Sequence, residues 1–180
     1  MPPQGEHWIE QWLIPDRTAN WVKPIAFVKV VPQRNPEFGI HSVIAAAETH
    51  NLTESERRHA ATTAGRRDFL NEGLQVLMEV DKVNAKAKQD RIISSRGQLD
   101  KSIGYDCLRY DVLVESRHVP RLQGRLYFTE YHTYACIDPG ARIIVKLSYG
   151  QRVPPDAVPV DLRIEGEPFL KSVTFTPPTS

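Results

Sequence analysis

Two alternating runs, residues 105–115 and 126–137, are joined through a short segment holding Pro120 and Gly124, and they constrain this 180-residue chain more than any other feature. In the first run Leu108, Tyr110, Val112 and Val114 fall on one side. Cys107, Arg109, Asp111 and Glu115 fall on the other, with Leu113 the one apolar exception. A period of two marks a strand with one face in a core and the other face wetter. The second run sets Tyr127, Thr129, Tyr131, Thr133, Ala135 and Ile137 against Leu126, Phe128, Glu130, His132, Tyr134 and Cys136. It is rich in the β-branched and aromatic residues that suit a pleated surface. Pro120 presets φ and Gly124 permits φ > 0, so residues 119–124 read as the turn of a β-hairpin.

The faces also bear on register. If the apolar side of the first strand shares a face with the Tyr/Thr/Ala side of the second, even positions pair with odd ones. A loop centred between Arg121 and Leu122 then sets Cys107 opposite Cys136 and Asp111 opposite His132. A slip of one residue would flip one strand's faces, whereas a slip of two would preserve them, so the pattern narrows the pairing without selecting a single one.

The remaining chain supplies more strands and one long helix. Residues 6–15 are ambiguous: Trp8, Ile9, Trp12 and Leu13 would form a helical stripe, but the short run ends at a proline and a strand is favoured, while 21–31 read as a strand ending before Pro32. All three tryptophans, Trp8, Trp12 and Trp21, lie in this first part, and clustered aromatics of this kind usually anchor a core. Residues 32–39 have loop composition, and the alanine-rich stretch 40–50 is expected to be a short helix. Asn51-Leu52-Thr53 has the form of a glycosylation sequon, but Thr53 followed by Glu56 reads better as a capping box. The helix it opens should run to about Val80, with a core stripe of Ala60, Ala64, Leu70, Leu74 and Leu77 widened by Phe69, Val76 and Val80. Residues 90–95 suggest a short strand, Asp138-Pro139-Gly140 a turn, and 142–149 another strand. The chain closes on a last helical turn or strand docking by Phe169, Leu170 and Phe175. The expected class is α+β, a central antiparallel sheet of about six strands packed by one long helix and shorter ones. Residues 1–180 suffice for one domain, with frayed tails at 1–5 and 176–180.

Charge and motifs exclude several classes of function. The formal net charge is +1, so no global field draws the chain to nucleic acid or a membrane surface. No apolar run approaches the roughly 20 residues that span a bilayer, and the N-terminus lacks the basic-then-apolar pattern of a signal peptide. That fits a cytoplasmic protein, or a periplasmic or otherwise exported one whose leader was removed. No phosphate loop, nucleophile elbow, paired CxxC or His-Glu-x-x-His is present, and the six histidines lack metal-ligand spacing. No catalytic residue, cofactor or metal is therefore assigned.

Three constellations stand out. The first is Asp111 with His132, joined on the same hairpin face by Arg109, Glu130 and Tyr134. A carboxylate beside an imidazole raises its pKa and fixes its tautomer, as a general base requires, although a cross-strand ion pair on a solvated face has the same composition. The second is the basic hairpin tip, Arg117, His118, Arg121 and Arg125, offset only by Glu115. It could dock on an acidic protein surface or carry ordinary solubilising charge. The third is Cys107 with Cys136, which are either a disulfide or two small buried hydrophobes.

The layout resembles the PsbP-like superfamily, which includes a Ran-binding nuclear-import factor and many small bacterial exported proteins. The cues are Glu6-His-Trp-Ile-Glu-Gln-Trp-Leu-Ile-Pro, Asn20-Trp21, the long central helix with successive antiparallel strands, and Pro168-Phe169-Leu170-Lys171-Ser172-Val173. The resemblance implies an α/β/α sandwich and a binding or assembly factor rather than an enzyme, and it transfers no site residue. The expectation is thus a non-catalytic accessory subunit docking on a larger protein complex, with a protein rather than a nucleic acid as partner. The alternative is a small-ligand-binding protein or hydrolase using the Asp111/His132 face.

Overall fold

Residues 107–116 and 127–137 pair antiparallel, with Cys107 opposite Cys136 and Asp111 opposite His132. This is one of the registers that the alternating faces allow, and the strand pairing selects it. The computed structural model describes residues 8–12, 21–34, 39–117 and 125–175. Among them seven strands form one sheet: β1 (Trp8–Trp12), β2 (Trp21–Val30), β3 (Ser42–Asn51), β4 (Arg91–Asp100), β5 (Cys107–Ser116), β6 (Tyr127–Ile137) and β7 (Ile143–Val153). Their order across the sheet is β1-β2-β3-β7-β6-β5-β4, and every pairing is antiparallel. The helices are α1 (Glu54–His59), α2 (Thr63–Lys88) and α3 (Leu162–Leu170), which makes the class α+β. The turn at 118–124, the tails, and the tryptophan side chains at the first two strands lie outside the described residues.

Two meanders, β1-β2-β3 and β4-β5-β6-β7, meet where β3 pairs with β7, and α1 and α2 carry the chain from the end of β3 to the far edge of the sheet. The sheet is buried on two sides by different helices. Leu70 and Leu74 of α2 pack with Leu108, Tyr110, Val112, Ala135 and Ile137. On the opposite face Leu162, Phe169 and Leu170 of α3 pack with Tyr134, Leu147 and Tyr149. Each fully buried leucine of this kind contributes roughly 1.5–3 kcal/mol. The closest approach on the α2 side falls at Gly97 of β4, where a Cβ would lie 2.1 Å from Leu74 Cδ1. Glycine is required there because the leucine occupies the space a side chain would need.

Several expected elements differ. Residues 40–50 form no helix: they supply β3, hydrogen-bonded on both sides by β2 and β7, with Val43 and Ala45 buried on the α3 face. Alanine's helix propensity is a fraction of a kcal/mol per residue, and two strand partners override it. Thr53 does open a capping box with Glu56. The helix breaks after His59, however, and Thr62, accepting from Gly65 N at 3.0 Å, caps a second helix that continues past Val80 to Lys88. Its buried residues are Leu70, Leu74 and Ala85, flanked by Phe69 and Leu77, and Ala60 is buried as expected at the break, while Ala64, Val76 and Val80 are exposed. The strands at 90–95 and 142–149 are longer than expected, reaching Asp100 and Val153. Asp138 forms the expected turn, its buried carboxylate accepting from the amides of Gly140, Arg142 and Ile143. The closing segment is α3, capped by Asp161, and Phe175 beyond it stacks edge-on against Tyr105.

Candidate functional site

Strand alternation brings Arg109 and Asp111 of β5 and Glu130, His132 and Tyr134 of β6 to the face that α3 covers. His132 Nδ1 donates to Asp111 Oδ1 at 2.7 Å and His132 Nε2 donates to Glu130 Oε1 at 3.1 Å. Arg109 Nε reaches Asp111 Oδ2 at 3.2 Å, and its Nη1 lies 2.6 Å from Glu167 Oε1 of α3. Its guanidinium carbon sits 6.0 Å from the centre of the Tyr134 ring, and the Tyr134 hydroxyl donates to Asp100. Glu130 also accepts from Gln151 Nε2 at 3.0 Å, and Gln151 Oε1 accepts from the buried His41 Nε2 at 3.0 Å. The result is one polar chain from His41 through Gln151, Glu130, His132, Asp111 and Arg109 to Glu167.

The ionisation of this chain follows from its partners. Hydrogen bonds to Asp111 and then Glu130 outweigh burial and push the His132 pKa up to about 9. With a carboxylate on each ring nitrogen, the imidazole is an imidazolium with both protons engaged. Burial alone would raise the Asp111 carboxyl, yet His132 and Arg109 hold it below its ordinary range, and the His132 bond does the same for Glu130. His41 differs: burial lowers its pKa and keeps it neutral. A general base works best when its pKa lies near the operating pH and a lone pair is free. His132 at neutral pH has neither.

Room is the second constraint. The gap between α3 and this cluster, bounded by Arg109, His132, Leu162 and Glu167, measures about 20 Å³, enough for a water molecule. Besides the Arg109–Glu167 contact, α3 is tied down by Glu165, which accepts from Lys29 Nζ and the Tyr149 hydroxyl, each at 2.9 Å. Glu167, Gln151 and His41 were not singled out from the sequence. Each lies at least 21 residues from the member it contacts closest in sequence, and no local pattern marks an isolated glutamine or glutamate as a network member.

At the hairpin tip, Arg117 and Arg125 are exposed at the ends of β5 and β6, with Arg117 Nε 3.7 Å from Glu115 Oε1. His118 and Arg121 lie outside the described residues. The sulfurs of Cys107 and Cys136 are 2.14 Å apart, within disulfide distance, and both cysteines are fully buried. No group of three His, Cys, Asp or Glu among the described residues is arranged to hold a metal ion, and no described helix is long and apolar enough to cross a membrane.

The larger open space lies on the other face, between the C-terminal half of α2 and the exposed surface of β5, β6 and β7. A groove of about 420 Å³ is lined there by Asp81, Lys88, Asp90, Thr129, Tyr131 and Arg152. It continues past Asp81 and Tyr131 into a second space of about 250 Å³ beside Ala46, Ser148 and Gly150. In the sequence these residues sit in four separate segments, so only the sheet order unites them. Comparison with protein-family models, with curated proteins and with solved structures gives no match for this chain.

Proposed function

We propose that this chain is a non-catalytic binding or assembly protein, an accessory subunit that docks on a larger protein complex. One observation carries the reading: His132, the best candidate base, is clamped as a cation between Asp111 and Glu130 beneath α3, where about 20 Å³ is free. A ligand binder at Arg109, Asp111, Glu130, His132 and Tyr134 would require α3 to leave, and a hydrolase would also require His132 to lose a proton near pH 9. The arrangement instead locks α3 to the hairpin, since Arg109 bridges Asp111 and Glu167. The sheet with a helix on each face supports the finer reading of an α/β/α sandwich of the PsbP-like kind. The cysteine pair at bonding distance fits an oxidising compartment, periplasmic or otherwise exported.

The docking surface in this reading is the basic tip, Arg117, His118, Arg121 and Arg125, of which Arg117 and Arg125 stand exposed where the hairpin leaves the sheet. Its partner presents an acidic protein surface, so association should weaken with salt. The test is affinity purification from the native source with the parent chain and with an R117E/R121E/R125E variant of unchanged circular dichroism. Loss of one stoichiometric protein partner from the variant supports the reading. Equal recovery by both chains removes the tip as the docking surface.

A further inference from the structure

We propose that the groove between α2 and the β5-β6-β7 surface binds a small peptide zwitterion of two or three residues, its ammonium held by Asp90 and its carboxylate by Arg152. The volume of about 420 Å³ lies within the range of small-molecule sites. Two buried polar atoms on its wall are unsatisfied, the carboxylate oxygen Asp90 Oδ1 and the guanidinium nitrogen Arg152 Nε. A charged group left without its hydrogen bonds costs more than a neutral one, so a ligand that supplies a donor to the first and an acceptor to the second gains at both ends.

The spacing of these ends sets the ligand length. Asp90 immediately precedes β4, Arg152 lies on β7, and β5 and β6 run between them. Three strand intervals of about 4.8 Å separate the two backbones by about 14 Å. The Arg152 side chain spans part of that distance, and the remainder corresponds to two or three peptide residues at about 3.3 Å each. Charge agrees with a dipolar ligand: Asp81 and Asp90 are balanced by Lys88 and Arg152 on the same walls. Tyr131, 39% exposed, lines the same groove, and directly opposite it on β7 is Gly150. A Cβ at Gly150 would lie 2.3 Å from the Glu130 carbonyl oxygen and 3.0 Å from Tyr131 Cδ1, so the glycine lets β6 and the Tyr131 ring approach β7 closely at the groove wall. Asp81 is held in place by the Tyr110 hydroxyl, which donates to its Oδ2 at 2.6 Å.

This inference is independent of docking at the hairpin tip. Its test is a titration of the full chain with dialanine and trialanine at millimolar concentration, following the backbone amides of Thr129, Tyr131 and Arg152 by nuclear magnetic resonance. The expected result is saturable shifts at those amides. Affinity should fall roughly tenfold for the N-acetylated peptide, for the C-amidated peptide, and for the D90N and R152Q variants, as loss of one charge-assisted contact implies. Absence of saturable shifts with both peptides overturns the proposal, and so do shifts that persist undiminished with the blocked peptides. If either variant fails to fold, the blocked peptides on the parent chain decide the matter.

Discussion

Asp111 Oδ1 lies 2.7 Å from His132 Nδ1 across the β5–β6 ladder, and the far side of the same ring meets Glu130. The second carboxylate changes what the first one means. One carboxylate and one imidazole could pass a proton, whereas two carboxylates on one imidazole hold it as a cation. Because Arg109 extends the cluster to Glu167, the same charges fasten α3 to the hairpin.

Stability should therefore depend on pH in a defined direction. His132 has its pKa raised from 6.5 to about 9, so its contribution is complete below about pH 6.5 and is lost as pH rises through 9. Asp111 and Glu130 lie below their ordinary values, so theirs is present above the usual carboxylate range and lost as pH falls through the lowered values. His41, held neutral by burial, adds a loss of stability on acidification below about pH 6.5. Urea unfolding should show a loss of at most about 3 kcal/mol between pH 6.5 and 9.5, allowing that His132 is 21% exposed. An unfolding midpoint that does not move over this interval would count against the clamp.

Substitution within the clamp should act through the remaining charges. H132Q removes the cation between Asp111 and Glu130, leaving Asp111 with Arg109 alone, and should cost about 2–4 kcal/mol, with a flattened alkaline limb. D111N and E130Q should each lower the His132 pKa towards its ordinary value and cost about 1–3 kcal/mol. Equal stability of H132Q and the parent by urea denaturation would mean the charges carry no net weight.

Gly97 and Leu74 should behave as a coupled pair. G97A places a methyl group within 2.1 Å of Leu74 Cδ1 and should destabilise by about 1–3 kcal/mol. L74A alone opens a cavity at a cost of about 2–5 kcal/mol. The double variant should be more stable than the sum of the single effects implies, by an interaction energy of about 1 kcal/mol or more. Simple additivity in a double-mutant cycle would place the helix elsewhere on the sheet.

The cysteine pair is tested by counting thiols. Protein denatured without reductant should show none, and C107S/C136S should lose about 2–4 kcal/mol by release of a cross-link between residues 29 apart in sequence. Two reactive thiols per chain would establish the reduced form instead.

The hairpin was legible because strand periodicity is local: alternation from Leu108 to Val114 and from Tyr127 to Ile137 sets the faces, and the faces constrain the register that pairs Asp111 with His132. The alanines of β3 misled for the opposite reason, since their state depends on β2 and β7, which lie far away in sequence. The break between α1 and α2 is marked by Thr62, a cap residue inside an otherwise continuous helical pattern, and by Gly65, whose Cβ would collide with the His59 carbonyl. At the site, Asp111, Glu130, His132 and Arg109 could be placed on one face from β5 and β6 alone. Their covering by α3 through Glu167, and the groove joining Asp90 to Arg152, depend on how distant segments pack, and periodicity carries no information about that.

The most direct test of the clamp is the titration of the His132 ring by ¹⁵N nuclear magnetic resonance in the intact chain. The account predicts a midpoint near pH 9 and protons on both Nδ1 and Nε2 at neutral pH. A midpoint near the unperturbed value of about 6.5, with a single neutral tautomer above it, would contradict the account and return His132 to the list of available bases.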